Sequence, residues 1–218
     1  MEIKESSIQI VKNARYAMLG NEVNPKNVWV VMHGYGMLSR YFIRKFEDWN
    51  LEENLIIAPE GLSKHYLIGF NGRVGATWMT KEDRINEIED QINFFEDLHK
   101  TLIAPIKTPY NLHVLGFSQG ATAALRWFIR TKNSLKSVIL WGSTFPMDVF
   151  NTDDLLKIEK QKILMVFGKK DEFISPSNLI THLDFLHKLK EDIEIIQYNG
   201  GHELDKNVLN QIHQKVID

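Results

Sequence analysis

Asn111-Leu112-His113-Val114-Leu115-Gly116-Phe117-Ser118-Gln119-Gly120-Ala121-Thr122-Ala123-Ala124-Leu125 is the stretch that decides how this chain reads. A short apolar run ends in Gly116-Phe117-Ser118-Gln119-Gly120, and small, helix-forming residues follow at once. The pattern is Gly-x-Ser-x-Gly set between a strand and a helix. Such a turn holds its serine in a strained backbone conformation, and the glycines avoid collision with the neighbouring strand or helix. The hydroxyl is then expected at the carboxyl end of a strand, over a helix amino end whose dipole favours negative charge. Glycine and serine are common, so the same residues also fit a plain strand-to-helix turn with a serine cap. The flanking apolar run and helix favour the nucleophile.

Outward from this turn, buried-strand patterns recur. Val28-Trp29-Val30-Val31-Met32, Leu55-Ile56-Ile57-Ala58-Pro59, Ser137-Val138-Ile139-Leu140-Trp141 and Ile163-Leu164-Met165-Val166-Phe167 are almost wholly apolar, as strands covered on both faces are. Residues 193–198 read as the last strand. Helical spacing marks residues 39–49, through Tyr41, Phe42, Phe46 and Trp49, and residues 83–102, through Ile85, Ile88, Ile92, Phe95, Leu98 and Leu102. Further helices are predicted from Ser118 through Arg130, over 176–189 with Pro176 near the first turn, and at the chain end. Residues 8–11 and 14–19 alternate and predict an antiparallel lead-in. Residues 60–80 read as a long irregular segment, a kind that is usually functional. Strands alternating with helices imply an α/β fold with a mostly parallel sheet covered on both faces. No repeat, low-complexity tract or linker divides the chain, so one domain over 1–218 is expected.

Composition excludes several classes. The chain has 218 residues, 44% hydrophobic and 25% charged, enough for one sizeable core. Its 26 basic and 28 acidic residues leave a net charge of -2, so no basic field exists to gather nucleic acid or an anionic membrane. With no cysteine, disulfides, thiolate metal sites and a cysteine nucleophile are ruled out. The charged amino terminus is not expected to act as a signal peptide, and no apolar run approaches the roughly 20 residues of a membrane span. A cytoplasmic protein is expected. Gly69-Phe70-Asn71-Gly72-Arg73-Val74-Gly75 is glycine-rich but does not join a strand to a helix, so it is no phosphate cradle. No histidine–acid pair has metal-ligand spacing on one helix. No metal and no cofactor are expected.

In this architecture ligands bind beyond the carboxyl ends of the strands. His33-Gly34-Tyr35-Gly36, Ser118, Asp171 and His202 each follow a predicted strand, in the order serine, aspartate, histidine. A serine hydroxyl needs a base to take its proton as it attacks. A histidine can accept that proton and return it to the leaving group, and a carboxylate fixes its tautomer. The oxyanion needs preorganised donors, for which the backbone N–H groups of Gln119 and Tyr35 are placed. Both are main-chain roles, expected to survive side-chain substitution. Competing readings stand beside each. His202 also fits a helix cap next to Gly200-Gly201, and Glu172 rivals Asp171, which comes first after the strand. His65, His99, His182, His187 and His213 are expected on loop or helix surfaces, His113 lies within a strand, and His33 reads as an orienting or structural residue. Asp148, Asp153 and Asp154 are expected in an acidic loop after a different strand.

Taken together, His33-Gly34-Tyr35-Gly36, the Trp78 segment before a helix, Gly116-Phe117-Ser118-Gln119-Gly120-Ala121, Gly168 with Asp171, and Gly201-His202-Glu203 resemble the carboxylesterase/phospholipase branch of the α/β-hydrolases. That branch includes the acyl-protein thioesterases. The resemblance runs from about Val28 to the end. It implies a compact hydrolase without a large cap, acting on carboxylic esters or thioesters, and it supports Ser118, Asp171 and His202 as a triad. The chain departs from the branch in two places. Tyr35 and Met37 stand at the third and fifth positions of a frequent His-Gly-Leu-Gly-Asp, and Met79-Thr80 follow Trp78 where an aromatic and an aspartate are frequent. Both departures fall near the expected acyl pocket.

Beyond the strand ends the loops carry Tyr35, Tyr66, Phe70, Trp78, Trp141, Phe145 and Phe173. About half are expected to be core or loop anchors. The rest would line an apolar site for a short or medium acyl chain, with Tyr66, Phe70, Trp78, Trp141, Phe145 and Phe173 as substrate-binding candidates. The expected reaction is ester hydrolysis through an acyl-enzyme. Thioester or amide hydrolysis by the same residues, or a silent binding module on the fold, are the alternatives. The expected partner is a small-molecule ester, with no nucleic acid and no stable membrane insertion. Nothing in the sequence argues for an oligomeric state.

Overall fold

A computed structural model of the chain describes residues 2–144, 152–174, 180 and 193–217. Seven strands form one sheet: β1 (Tyr16–Gly20), β2 (Asn27–Met32), β3 (Asn54–Pro59), β6 (Asn111–Phe117), β7 (Ser137–Trp141), β8 (Ile163–Gly168) and β9 (Glu194–Tyr198). Their order across the sheet is β1-β3-β2-β6-β7-β8-β9. β1 pairs antiparallel with β3, from Tyr16 opposite Pro59 to Gly20 opposite Leu55. All the other pairs are parallel. The antiparallel lead-in thus holds for the second alternating piece. The first does not form a strand, and Ile8, Ile10 and Val11 are exposed.

Alternation along each strand sends successive side chains to opposite faces. Val28, Val30 and Met32 of β2, with Leu112 and Val114 of β6, face a core built with α2 (Arg84–Leu98), α3 (Gln119–Arg130) and α4 (Thr152–Lys160). Phe95, Trp127, Phe128 and Ile158 fill that side. Trp29 and Val31, with Leu115 and Phe117, face the other core. There α1 (Ser39–Phe42) and the 3-10 turn Ile43–Phe46 meet α5 (Lys206–Ile217) through Phe42, Phe46, Leu209, Ile212 and Val216. Both faces are covered, which is why the strands read as unbroken apolar runs.

Three elements depart from expectation. The helix predicted over 39–49 stops at Phe42 and tightens into the 3-10 turn. The long helix ends at Leu98 and runs on as a π turn, His99–Ile103. Residues 60–80 are not irregular throughout. β4 (Ser63–Tyr66) and β5 (Val74–Thr77) pair antiparallel, and the bridge between Met37 and Ala76 pins this hairpin to the loop after β2. Asp153 and Asp154 lie in the first turn of α4, where the helix dipole favours acids, rather than in a loop. Asp148, His182, His187 and all but one residue of the helix predicted over 176–189 lie outside the described residues. Among the described residues no helix is long and apolar enough to cross a membrane.

Candidate active site

The turn after β6 is shaped by what surrounds it. A Cβ on Gly116 would sit 2.2 Å from the Gly120 carbonyl oxygen, and one on Gly120 would sit 2.3 Å from that of Met32. Helix α3 therefore starts hard against β2 and β6, which only glycine permits at both places. Ser118, between them, has φ 55° and ψ -120°, a conformation that costs a non-glycine residue on the order of 1–3 kcal/mol. Its N–H donates to the Trp141 carbonyl at 2.7 Å, which ties the turn to β7.

His202 reaches this serine from the loop after β9. Its Nε2 lies 2.8 Å from Ser118 Oγ, and its Nδ1 lies 2.8 Å from Asp171 Oδ2. Asp171 is buried, and its second oxygen accepts the Phe173 N–H at 3.0 Å. Both carboxylate oxygens thus have donors, one of them the imidazole N–H. The His202 ring is packed between Phe117, at 4.9 Å, and Phe173, at 4.6 Å between centroids. Glu172, the rival acid, is exposed and has no such contact with the imidazole.

The two expected backbone donors sit at the start of α3 and in the loop after β2. Gln119 opens α3, where the first N–H groups have no helical partner. Tyr35 follows β2. Among the described residues neither N–H has an acceptor. His33 fixes the Tyr35 loop from beneath. Its Nε2 accepts the Gly61 N–H at 3.0 Å, so the proton sits on Nδ1, which donates to the Gly34 carbonyl at 2.8 Å. Burial lowers the His33 pKa, against the raising effects of that carbonyl and of Glu60, and the ring stays neutral. Glu60 is itself buried and accepts from the Ser39 N–H and hydroxyl at 3.2 and 3.1 Å, anchoring the start of α1.

Two side chains with positioning contacts were not visible as such in the sequence. Gln119 contributes more than its backbone. Its Oε1 accepts from Thr77 Oγ1 and the Trp78 N–H, each at 3.0 Å, and its Nε2 donates to the Met79 carbonyl at 2.8 Å. The side chain fastens the serine turn to the segment after β5, so its role is not confined to the main chain. Tyr198 ends β9, with its hydroxyl within hydrogen-bonding reach of the Gly201 and Glu203 carbonyls on either side of His202. Burial raises its pKa and keeps the phenol protonated. No spacing rule signals such partners, because each depends on a loop returning to the strand end.

The aromatic candidates divide. Trp78 and Trp141 are fully buried and do not line the cavity described below. Trp78 Nε1 donates to the His33 carbonyl at 2.7 Å, and Trp141 Nε1 donates to the Glu203 carbonyl at 2.8 Å. They brace the Tyr35 and His202 loops from inside the core, since a large ring there gains more from burial than from solvent. Phe70 is 96% exposed at the hairpin tip, and Tyr66 is half exposed on β4; neither lines the cavity described next. Phe173 stacks on His202. Phe145 lies outside the described residues. His213, expected on a surface, is buried and stacks on Trp49 at 4.0 Å.

A cavity of about 770 Å³ opens beside His202. Its apolar wall comes from Met37, Leu38, Phe42, Leu67, Phe117 and Leu204, drawn from the loop after β2, α1, the hairpin, the end of β6 and the His202 loop. Among the described residues no group of three or more histidine or acidic side chains is placed to hold a metal ion.

Residues 15–217 match the family model described as Phospholipase/Carboxylesterase. The chain belongs to this family. It is thus a hydrolase of the carboxylesterase kind with the α/β-hydrolase fold. The family match covers the sheet, both helix layers and every residue of the site above. Solved structures agree on the fold. Zea mays acyl-protein thioesterase 2 superposes with a TM-score of 0.72 at 17% identity, covering 94% of this chain and 100% of that one. Esterase PE8 gives 0.67 at 21% identity, over 94% and 100%. The Bacillus cereus carboxylesterase gives 0.66 at 15%, over 93% of each chain. At such identities the likeness is one of fold alone. No curated protein matches the sequence of this hydrolase.

Proposed function

We propose that this hydrolase cleaves carboxylic esters of short or medium acyl chains through Ser118, His202 and Asp171. The observation that carries the reading is the unbroken chain of contacts from Ser118 Oγ to His202 Nε2 and from His202 Nδ1 to Asp171 Oδ2, each 2.8 Å. Ser118 Oγ attacks the ester carbonyl as its proton passes to His202 Nε2. Asp171 accepts from Nδ1–H, holds the reacting tautomer and stabilises the imidazolium. The tetrahedral oxyanion is met by the Tyr35 and Gln119 N–H groups. As the intermediate collapses, the carbon–oxygen bond to the alcohol breaks and Nε2–H protonates the leaving oxygen. Water, deprotonated by His202, then attacks the acyl-serine, and the carboxylic acid leaves as Ser118 regains its proton. The whole cycle is carried by one domain.

The cavity beside His202, about 770 Å³ and walled mainly by apolar side chains, supports a small substrate. Fold neighbours that include an esterase, a carboxylesterase and an acyl-protein thioesterase make thioesters the natural comparison. The test is covalent labelling by a fluorophosphonate, together with hydrolysis of a p-nitrophenyl ester series. Labelling and turnover are expected for the wild type, and neither for Ser118→Ala. A folded wild type that neither labels nor turns over any chain length would sink the proposal in favour of a binding module. Matched oxygen and thiol esters rank the two bond types.

A further inference from the structure

The cavity beside His202 carries a charge pattern that ester hydrolysis alone does not require. Arg40 on α1, Lys45 in the 3-10 turn and Arg73 in the hairpin all line it. Among the described residues Glu203 is the only acid that lines it. Of the other cations nearby, Lys64 and Arg15 lie 3.4 and 3.7 Å from Glu60, Lys206 pairs with Asp48, and Arg44 lies 6.0 Å from the Tyr41 ring. Among the described residues Arg40, Lys45 and Arg73 have no carboxylate within ion-pair distance. Arg40 rests its guanidinium 4.8 Å from the Tyr41 ring, which leaves its N–H donors free. Three cations from three separate elements, without a carboxylate partner among the described residues, thus line one apolar-walled space that His202 also lines.

Low-polarity walls strengthen the field of such charges, and a guanidinium fork matches the two oxygens of a carboxylate or phosphate. Resting on the ester-hydrolase reading above, we infer that the cavity selects esters carrying an anionic group, a carboxylate or phosphate, on the portion it seats. The apolar wall takes the carbon chain, and Arg40, Lys45 and Arg73 take the anion at the outer end. A neutral ester is still cleaved, because Ser118, His202 and the backbone donors do not depend on the anion.

Two matched substrate pairs test this. Mono-p-nitrophenyl glutarate against p-nitrophenyl valerate places the charge on the acyl side. Meta-acetoxybenzoate against meta-acetoxybenzamide places it on the alcohol side. The wild type is expected to favour the anionic member of at least one pair by roughly tenfold or more in kcat/KM. That preference should shrink in 1 M salt, where screening acts within about 3 Å. In the Arg40→Gln/Lys45→Gln/Arg73→Gln variant the ratio should fall to about one, and because both members of a pair are measured on one enzyme, any loss common to both cancels. The pair that responds identifies the side that the cavity seats. No anionic preference in either pair, or a preference that persists in the triple variant, overturns the inference and leaves the hydrolase reading intact. Failure of the wild type on the neutral esters as well overturns the hydrolase reading, and this inference with it.

Discussion

At the residue scale, Gln119 does two jobs on opposite sides of one Cα. Its N–H faces the expected oxyanion, while its side chain satisfies Thr77, Trp78 and Met79. Gln119→Ala strips the acceptor from the Trp78 N–H and leaves the Met79 carbonyl with the Thr77 hydroxyl alone, and leaving a buried polar group unpaired costs about 1–3 kcal/mol. The expected outcome is a drop in melting temperature and a fall in kcat of about tenfold to a hundredfold, as the N–H loses its fixed position. Wild-type kcat in the alanine variant, measured on a neutral p-nitrophenyl ester, would show that the clamp is irrelevant to the reaction. Tyr35 makes the contrast. Its ring is 60% exposed and lies against the His65 ring, at 5.0 Å between centroids. Tyr35→Ala keeps the N–H and should leave kcat within about a factor of two.

At the element scale, the site depends on how closely α3 approaches β2. Gly120→Ala puts a methyl 2.3 Å from the Met32 oxygen and 2.5 Å from that of His33, both backbone atoms that cannot swing aside. A loss of about 3 kcal/mol or more is expected in urea unfolding, and a variant with unchanged midpoint would contradict the close packing. The loop after β9 is held from inside by Trp141 and Tyr198. Trp141→Phe keeps an aromatic ring in the core but removes the N–H that holds the Glu203 carbonyl. Because Trp141 does not line the cavity, kcat should fall while KM for a neutral ester stays near the wild-type value. A rise in KM with kcat preserved would instead make Trp141 a substrate contact.

At the scale of the whole molecule, the sheet end opposite the site carries a buried aromatic and histidine cluster. His113 stacks on Trp29 at 4.3 Å with 17° between planes, and contacts Ser137 Oγ at 2.8 Å. His213 stacks on Trp49 and reaches Asn54 Oδ1 at 3.2 Å. Burial, and for His113 also the nearby charges of His213, Lys136 and Lys162, pushes the pKa down to about 3; burial pushes His213 down to about 4. Both lie below the ordinary value of 6.5, so between these limits the unfolded chain binds more protons than the folded one. Stability is therefore fully present above pH 6.5 and is lost as pH falls toward about 4. Each histidine contributes up to about 1.4 kcal/mol per pH unit in that window. Urea unfolding at pH 7, 6 and 5 should show the loss, and His213→Phe should make it shallower. An unfolding midpoint that stays flat over this range would refute the account.

The sequence by itself determined the sheet, the alternation of strands with helices, and the order in which Ser118, Asp171 and His202 follow their strands. Those features are local: apolar runs, glycine spacing and helical period are all carried by residues near one another in the chain. The tertiary structure decided the rest. It turned Trp78 and Trp141 inward as braces, because their indole N–H groups meet carbonyls 45 residues away in sequence for one and 62 for the other. It folded residues 63–77 into a hairpin, whose pairing to the Met37 loop no short-range pattern encodes. It buried His213, whose place depends on how α5 packs against Trp29 and Trp49. It also brought Arg40, Lys45 and Arg73 around one cavity from three elements. A strand or a turn is set by neighbours in sequence; a brace, a cavity wall or a charge cluster exists only once distant segments close on each other.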